Sequence, residues 1–265
     1  MKKKTVAVMM AALMAMGMMT GVSVQAGVKD KTLIVGFDAE YPPYGYMDEN
    51  GEYTGFDLEL AEAVCEMEGW ELVKKPINWD SRDLELNSGS IDCIWNGFTM
   101  NGREDDYTFS TPYVDNSQVI VVAEASGIEK LEDLAGKTVG VQAASAALQL
   151  LQTSEKEGGQ KELADTFGSL NEFADYNTAF TELQAGALDA LAIDIGVANY
   201  QLKSRGEGYT ILSEELNTEQ YAIAFKKGNE ELRDIIDADL KKLTEDGTVA
   251  KLAEKYDIAD MVTLK

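Results

Sequence analysis

The chain has 265 residues, of which 45% are hydrophobic and 26% are charged, and its formal net charge is −24. A field of this sign argues against nucleic acids and anionic membrane surfaces as partners. Because the sequence contains no histidine, its composition excludes histidine general bases, Ser-His-Asp triads and histidine-ligated zinc, and we expect no cofactor.

The first 26 residues have the pattern of a secretory signal peptide. Lys2, Lys3 and Lys4 form a basic start, an uncharged apolar run follows, and small residues precede and include Ala26. A membrane anchor is the alternative, but the small residues favour cleavage after Ala26. We therefore expect export across the cytoplasmic membrane, to the periplasm or the extracellular cell envelope. Residues 27–265 are long enough for one large domain or two small lobes.

The next part of the chain alternates strand and helix patterns. Residues 32–37, 71–77 and 91–95 predict strands, and Asn50-Gly51 predicts a hairpin turn between two short segments. Helical spacing predicts one helix with Asp57 as its N-cap and a second over residues 80–88 that ends at Gly89. This alternation predicts a parallel sheet flanked by helices, in which ligands bind beyond the carboxyl ends of the strands.

A second unit repeats the pattern. Strands are predicted at residues 118–122, 137–141, 187–193 and 220–225, and helices at 143–156, 179–186, 229–246 and 248–256. Residues 90–94 and 187–191 both read small residue, apolar residue, Asp, then apolar strand. Two similar α/β lobes joined by strands explain this echo. Cys65 and Cys93 lie in apolar patterns, which favours two buried thiols over a disulfide.

Arg103 follows the end of a predicted strand and is the central candidate for ligand binding. Its guanidinium offers paired donors that match a carboxylate bidentately. The alternative is a surface ion pair with Glu104 or Asp105. The position beyond a strand end favours the ligand.

Aromatic residues and one acid follow the other strand ends. Tyr41, Tyr44 and Trp79 can wall a pocket, although core filling is the alternative, above all for Tyr44. Asp38 can receive a polar or cationic ligand side chain, or it can be a turn carboxylate that accepts backbone N–H groups.

The second unit offers the chemical counterpart. Ser145 and Ala146 open a predicted helix, whose N–H groups favour an anion, with an ordinary cap as the alternative. Asp194 ends an apolar strand, where its carboxylate can receive an ammonium and can also cap the next helix. Together with Arg103 and Thr99, these groups are complementary to a zwitterion, because buried charges need such partners.

At these residues the sequence resembles the polar amino-acid solute-binding proteins of ABC importers, over the whole length that follows the leader. The resemblance implies an α/β, two-lobed, periplasmic-binding-protein-like (type II) fold in which each lobe is a mostly parallel sheet flanked by helices. Lobe 1 is expected to comprise residues 27–117 and 220–265, and lobe 2 residues 118–219, with a hinge near residues 116–119 and 217–221. The motifs that carry the resemblance lie at residues 36–44, 55–58, 79–80, 91–92, 97–103, 109–113, 139–142, 186–189, 246–248 and 252–256.

Ten positions match the ligand site of that family. The resemblance implies that Tyr41 lies over the ligand, that Arg103 binds its carboxylate and that Asp194 accepts its ammonium. The family usually reads Thr-x-x-Arg, whereas residues 101–103 are one residue shorter, and Ala144 stands where a glycine is usual. The ten expected ligand-binding residues are Asp38, Tyr41, Trp79, Asn96, Gly97, Thr99, Arg103, Ser145, Ala146 and Asp194.

These features predict a monomeric receptor that closes two lobes around one free amino acid and presents it to a membrane ABC permease. The ligand is expected to be a polar L-amino acid, with a basic one first and glutamine or cystine as alternatives. The chain is not expected to be an enzyme. A small-carboxylate enzyme such as a dehydratase would need an acid or base in the cleft, for which Glu40 is the candidate. A ligand-sensing domain would adjoin a transmembrane segment, and the sequence shows none after the leader.

Overall fold

Two sheets, joined by a long strand, organise the part of the chain that the computed structural model describes, residues 28–265. The predicted signal peptide lies outside the described residues. The strands are β1 Thr32–Phe37, β2 Glu40–Tyr41, β3 Gly45–Met47, β4 Tyr53–Thr54, β5 Glu71–Pro76, β6 Cys93–Ile94, β7 Tyr107–Phe109, β8 Val114–Ala123, β9 Thr138–Gln142, β10 Ser169–Phe173, β11 Ala190–Asp194, β12 Tyr209–Ile211, β13 Asn217–Tyr221 and β14 Ala224–Lys226. The α-helices are α1 Phe56–Glu68, α2 Arg82–Ser88, α3 Ala146–Gln152, α4 Lys161–Ala164, α5 Tyr176–Gln184, α6 Ile195–Arg205, α7 Glu230–Glu245 and α8 Thr248–Lys255.

The first sheet forms lobe 1 and has the strand order β5-β1-β6-β14-β7. The three predicted strands β5, β1 and β6 are parallel, as expected from their connecting helices. The later strand β14 pairs antiparallel with both β6 and β7. The hairpin predicted at Asn50-Gly51 is present between β3 and β4.

The second sheet forms lobe 2 and has the order β10-β9-β11-β8-β12, with β13 also paired to β8. Strands β9, β10 and β11 are parallel, whereas β8 runs antiparallel to β11, β12 and β13. Both sheets are therefore mixed rather than mostly parallel. The difference arises because β8 and β14 enter their sheets from the opposite lobe and run against the parallel strands, without a helical crossover.

The sequence echo between the two units corresponds to a shared contact. Asp92 accepts a hydrogen bond from the backbone N–H of Ile34 in β1 at 2.8 Å. Asp189 accepts from the backbone N–H of Thr138 in β9, also at 2.8 Å. In each lobe the aspartate that precedes one parallel strand therefore ties down the start of its neighbour.

Three predictions about the elements differ most clearly from the structure. The run at residues 220–225 is split into β13 and β14, because the chain leaves β8 in one lobe and joins β6 in the other. The helix expected over residues 143–156 is α3, which begins only at Ala146 and ends at Gln152. Asp57 is not an N-cap: it lies inside the first turn of α1, and Gly55 precedes the helix.

The two lobes are connected through β8 and β13, which pair from Asn217 opposite Gln118 to Tyr221 opposite Val114. We propose that these paired strands are the hinge and that the lobe boundaries fall within them, near residues 117–118 and 219–220. Cys65 and Cys93 are buried free thiols, as predicted. Among residues 28–265, none of the helices is long and apolar enough to cross a bilayer.

Candidate functional site

Eight of the ten candidate residues line one cavity between the lobes, together with Phe98 and Gln142. The cavity volume is about 10 Å³, which is room for roughly one water molecule. The lobes are thus drawn together around it, and access of a larger molecule requires them to part. The eight residues are Tyr41, Trp79, Gly97, Thr99, Arg103, Ser145, Ala146 and Asp194.

Arg103 is buried at the boundary between the lobes, 7% exposed, so the alternative of a surface ion pair is wrong. Its guanidinium lies over the Phe98 ring, 4.8 Å from the centroid, and donates to the carbonyl oxygen of Thr99 at 3.2 Å. Its Nε and Nη2 both donate to Oε1 of Gln149 in α3, at 3.3 and 3.0 Å. Burial, assisted by the nearby Arg82, lowers the pKa of Arg103. One side chain of lobe 1 therefore bonds across the cleft to lobe 2.

A tight turn accounts for the missing residue before Arg103. The N–H of Arg103 donates to the carbonyl oxygen of Met100 at 3.0 Å, and Gly102 has a φ of 76°. Glycine suits that left-handed position. Oδ1 of Asn101 accepts from the N–H of Gln220 at 2.7 Å, which anchors the turn to β13. The shorter segment thus still delivers Arg103 to the cavity.

Gly97 forms the floor of the cavity and requires a glycine. Its φ is 55°, and a Cβ there would lie 2.8 Å from Tyr221 and 3.1 Å from Tyr41. Its N–H donates to Oδ2 of Asp57 at 2.6 Å, and the same oxygen accepts from the hydroxyl of Tyr113 at 2.7 Å. Burial raises the pKa of Asp57 to about 7. Asp57 therefore positions the binding loop from beneath.

Two of the ten candidates, Asp38 and Asn96, do not line the cavity. Asn96 is 1% exposed, and its Oδ1 accepts from the N–H of Asp38 at 2.8 Å, so it lies behind Asp38. Asp38 accepts from the N–H of Glu40 at 2.9 Å, as in the turn alternative, and from Nε2 of Gln142 at 2.7 Å. Burial raises the pKa of Asp38 to about 6. Asp38 therefore reaches the cavity through Gln142, which lines it.

Of the three aromatic candidates, Tyr41 and Trp79 line the cavity and Tyr44 lies in the core. The ring of Tyr41 lies 5.9 Å from Tyr44 and 6.0 Å from Tyr176, and its hydroxyl is 3.1 Å from that of Tyr221. Trp79 meets Phe98 edge to face at 5.7 Å. Tyr44 is fully buried in the core and does not line the cavity, so the core alternative holds for that residue.

Asp194 ends β11 at the ammonium end of the predicted site and is 3% exposed. Its Oδ1 accepts from Asn116, Gln118 and Tyr221 at 2.9, 2.5 and 2.6 Å. Within the described part of the chain, its Oδ2 accepts only from the hydroxyl of Tyr176, at 3.2 Å. Asp194 occupies the N-cap position of α6 but makes no capping hydrogen bond there.

The loop before α3 brings backbone strain to the cavity. Ser145 is the N-cap of α3 and accepts from the N–H of Leu148 at 3.1 Å. Ala144, which stands in the usual glycine position, has a φ of 55°. A side chain in this left-handed region costs about 1 kcal/mol or more. The backbone at Ala144 therefore has the left-handed conformation that favours glycine, although this residue carries a side chain.

Four residues of the site were missed from the sequence. Phe98 supports Arg103, Gln142 and Gln149 bond across the cleft, and Glu219 in β13 accepts from the hydroxyl of Thr99 at 2.8 Å. Gln142 could have been found, because it directly follows a predicted strand, as Asp194 does. Glu219 is a buried acid in β13. The only sequence signal for it was its position in the predicted hinge segment at residues 217–221.

The sequence of the chain is similar to those of known binding proteins. The sequence profile of the bacterial extracellular solute-binding proteins, family 3, matches residues 33–258. The L-cystine-binding protein TcyJ of Escherichia coli (strain K12) is 30% identical over 261 residues, which is 94% of each chain. The arginine-binding extracellular protein ArtP of Bacillus subtilis (strain 168) is 33% identical over 230 residues, 85% of this chain and 86% of the relative.

Solved structures show the same architecture. An ABC uptake transporter substrate-binding protein from Streptococcus pneumoniae with bound histidine has a TM-score of 0.82 at 33% identity, covering 88% of this chain and 95% of the other. The ancestral amino acid-binding protein AncCDT-1, a precursor of cyclohexadienyl dehydratase, has a TM-score of 0.76 at 32% identity, covering 85% and 95%. The similarity to these structures confirms the type II fold.

Proposed function

Because the chain belongs to the bacterial extracellular solute-binding proteins of family 3, we propose that it clamps one free L-amino acid between its lobes and delivers it to the permease of an ABC importer. The observation that carries this proposal is the convergence of Arg103 and Asp194 on one interlobe cavity. Export through the predicted signal peptide, and action as a monomer, belong to the same proposal.

The carboxylate of the ligand is assigned to Arg103 and the N–H groups of Ser145 and Ala146. Arg103 forms no ion pair with any described residue, and a buried guanidinium favours a bidentate carboxylate partner. Two of its donors share one oxygen of Gln149, an amide that a carboxylate can replace. The neutral hydrogen bonds between Arg103 and Gln149 would then be replaced by stronger, charge-assisted bonds between Arg103 and the ligand carboxylate.

The ammonium is assigned to Asp194 and Thr99, and the charges favour a basic ligand side chain. Arg103 is the only basic residue among those that line the cavity, all of which the structure describes. Three acids lie in or next to the lining, namely Asp194, Asp38 behind Gln142, and Glu219 behind Thr99. An amino acid with a neutral side chain carries no net charge and leaves this excess of negative charge in place. An amino acid with a cationic side chain reduces it. Arginine, lysine and histidine are therefore proposed before glutamine and cystine.

Absence of catalysis is part of the proposal. A dehydratase would need an acid or base in the cleft, and Glu40 was the candidate. Its side chain is exposed, accepts a hydrogen bond from Nδ2 of Asn177, and does not line the cavity. Nothing in the lining therefore favours the enzyme alternative over binding.

Calorimetric titration tests both assignments. We expect L-arginine to bind more tightly than L-glutamine, which has the same α-amino and α-carboxylate groups but a side chain without a positive charge. L-argininamide, which lacks the carboxylate, should bind at least about 30-fold more weakly than L-arginine, equivalent to about 2 kcal/mol. Equal affinity for arginine and its amide would contradict the Arg103 assignment, and tighter binding of glutamine would contradict the basic side chain.

A further inference from the structure

Glu219 and Asp194 form a buried pair of acids beside the cavity, 6% and 3% exposed. Nδ2 of Asn116 donates to Asp194 Oδ1 at 2.9 Å and to Glu219 Oε1 at 2.8 Å. Nε2 of Gln118 donates to the same two oxygens at 2.5 and 2.8 Å. Because both oxygens touch the same nitrogens, they lie within roughly 6 Å of each other, where like charges oppose each other's ionisation.

The hydrogen-bond donors to the pair are neutral side chains, although Arg103 lies near enough to interact electrostatically with both acids. Asn116 and Gln118 turn their NH₂ groups towards the acids, and their buried carbonyl oxygens have no hydrogen-bond partner within residues 28–265. Neither acid belongs to any of the ion pairs among the described residues. Burial, followed by the charge of Asp194, raises the pKa of Glu219. Two adjacent buried carboxylates oppose each other's ionisation, which favours a proton on Glu219.

We propose that Glu219 is a second counter-ion for the amino group of the ligand, and that the acid pair holds a proton which leaves when the ammonium binds. This inference rests on the proposed function. Thr99 provides the connection, because its hydroxyl donates to Glu219 at 2.8 Å while Thr99 lines the cavity. Its lone pairs are left to accept from the ammonium. The O–H bond of the acid pair breaks, the proton passes to water, and the ammonium supplies the positive charge in its place.

The position of Glu219 gives the proton a separate route to solvent. Glu219 also lines two open cavities of about 600 and 190 Å³, and the larger one shares no lining residue with the amino-acid cavity. A proton can leave through the larger cavity without crossing the amino-acid cavity. The other ionisable groups that face the pair or these two cavities are Arg103, Tyr41, Tyr44, Tyr176, Tyr221, Asp115, Asp260 and Glu157.

Calorimetry in buffers of different ionisation enthalpy counts the protons released on binding. The probes are L-arginine, L-lysine and L-glutamine, whose side chains do not titrate between about pH 5 and pH 8. We expect the wild-type protein to release up to one proton per ligand and to bind more tightly as the pH rises. We expect Glu219→Gln to bind without proton release and with an affinity almost independent of pH, about tenfold weaker than wild type at the upper end of the range. Glutamine at this position keeps a carbonyl oxygen that can accept from the hydroxyl of Thr99.

Asp237→Asn is the matched control, because Asp237 is another partly buried acid with a raised pKa and does not line the amino-acid cavity. That variant should still release the proton. Binding by the wild type without proton release, or an unchanged proton count in Glu219→Gln, would overturn the inference while leaving the proposed function intact. If none of the three amino acids binds, the ligand found in a thermal-shift screen of the standard amino acids replaces them as the probe, and absence of binding by every amino acid would instead remove the proposed function, and this inference with it. The wild-type count alone decides whether a proton leaves, even if the variant does not fold.

Discussion

Arg103 illustrates how one side chain can serve both lobes. It belongs to the loop that ends β6 in lobe 1, packs on Phe98, and bonds to Gln149 in lobe 2. Arg82 lies over the same Phe98 ring at 5.6 Å, outside the cavity lining. The two guanidinium groups therefore share a ring but differ in their access to a ligand.

Arg103→Ala should weaken binding of the best amino acid by at least about 2 kcal/mol, or about 30-fold, because it removes a buried, charge-assisted partner of the carboxylate. Arg82→Lys is the control and should bind within a few-fold of wild type. Titration calorimetry of the two variants provides the comparison. Near-normal affinity of Arg103→Ala would refute the carboxylate assignment.

Ala144→Gly should stabilise the protein, because it relieves a φ of 55° in a residue with a side chain. The gain is expected to be about 1 kcal/mol, since the strain relieved exceeds the extra chain entropy of glycine in the unfolded state. Urea unfolding measures the difference. A lower midpoint for the glycine variant would show that the left-handed backbone is not strained at this position.

At the scale of elements, α1 supports the binding loop through Asp57. The sequence identified the strand, the helix and the loop, because apolar spacing and glycine positions are local signals. It misassigned Asp57 as a cap, because its partners Gly97 and Tyr113 lie 40 and 56 residues away in the chain. Hydrogen bonds of this span depend on how the elements pack, which residue patterns within one element do not record.

Gly97→Ala should destabilise the protein and abolish ligand binding, because its Cβ would meet Tyr221 at 2.8 Å. Gly102→Ala is matched to it, with a φ of 76° but no atom within 4 Å of the added Cβ. Both variants incur backbone strain of about 1 kcal/mol, and only Gly97→Ala should cost roughly 1–3 kcal/mol more through overpacking. Thermal unfolding and calorimetry compare the two. Equal losses in both would show that the aromatic contact is unimportant.

Asp57 also predicts a pH dependence of stability. Its pKa is raised from 3.8 to about 7 in the folded protein, so the folded state binds the proton more tightly than the unfolded chain. Its contribution to stability is therefore greatest at low pH, falls as the pH rises towards 7 and then levels off. Asp57→Asn should remove a decline on the order of 3 kcal/mol between about pH 5 and pH 8. Urea unfolding at both pH values measures the free energy of unfolding. The same change in this free energy between the two pH values for variant and wild type would contradict the prediction.

At the scale of the whole molecule, the lobes are held together by contacts on either side of the cavity. Gln142 donates to Asp38 at 2.7 Å, and Arg103 donates to Gln149 at 3.0 Å. These pairs are 104 and 46 residues apart in the chain. The residues at strand ends were predictable because parallel strands bring their carboxyl ends to one edge, whereas the pairing across the cleft depends on the relative placement of the lobes. The paired strands β8 and β13 are the proposed hinge through which a ligand would favour this closed arrangement.

A thermal-shift screen of the protein against each of the standard amino acids tests the central claim most directly. A ligand that binds only the folded state at about 1,000 times its Kd stabilises it by about 4 kcal/mol, which raises the Tm of a protein of this size by on the order of 10 °C. We predict such a shift with at least one amino acid, and the largest shift with arginine, lysine or histidine. No shift with any amino acid would contradict the proposal that this interlobe cavity binds one.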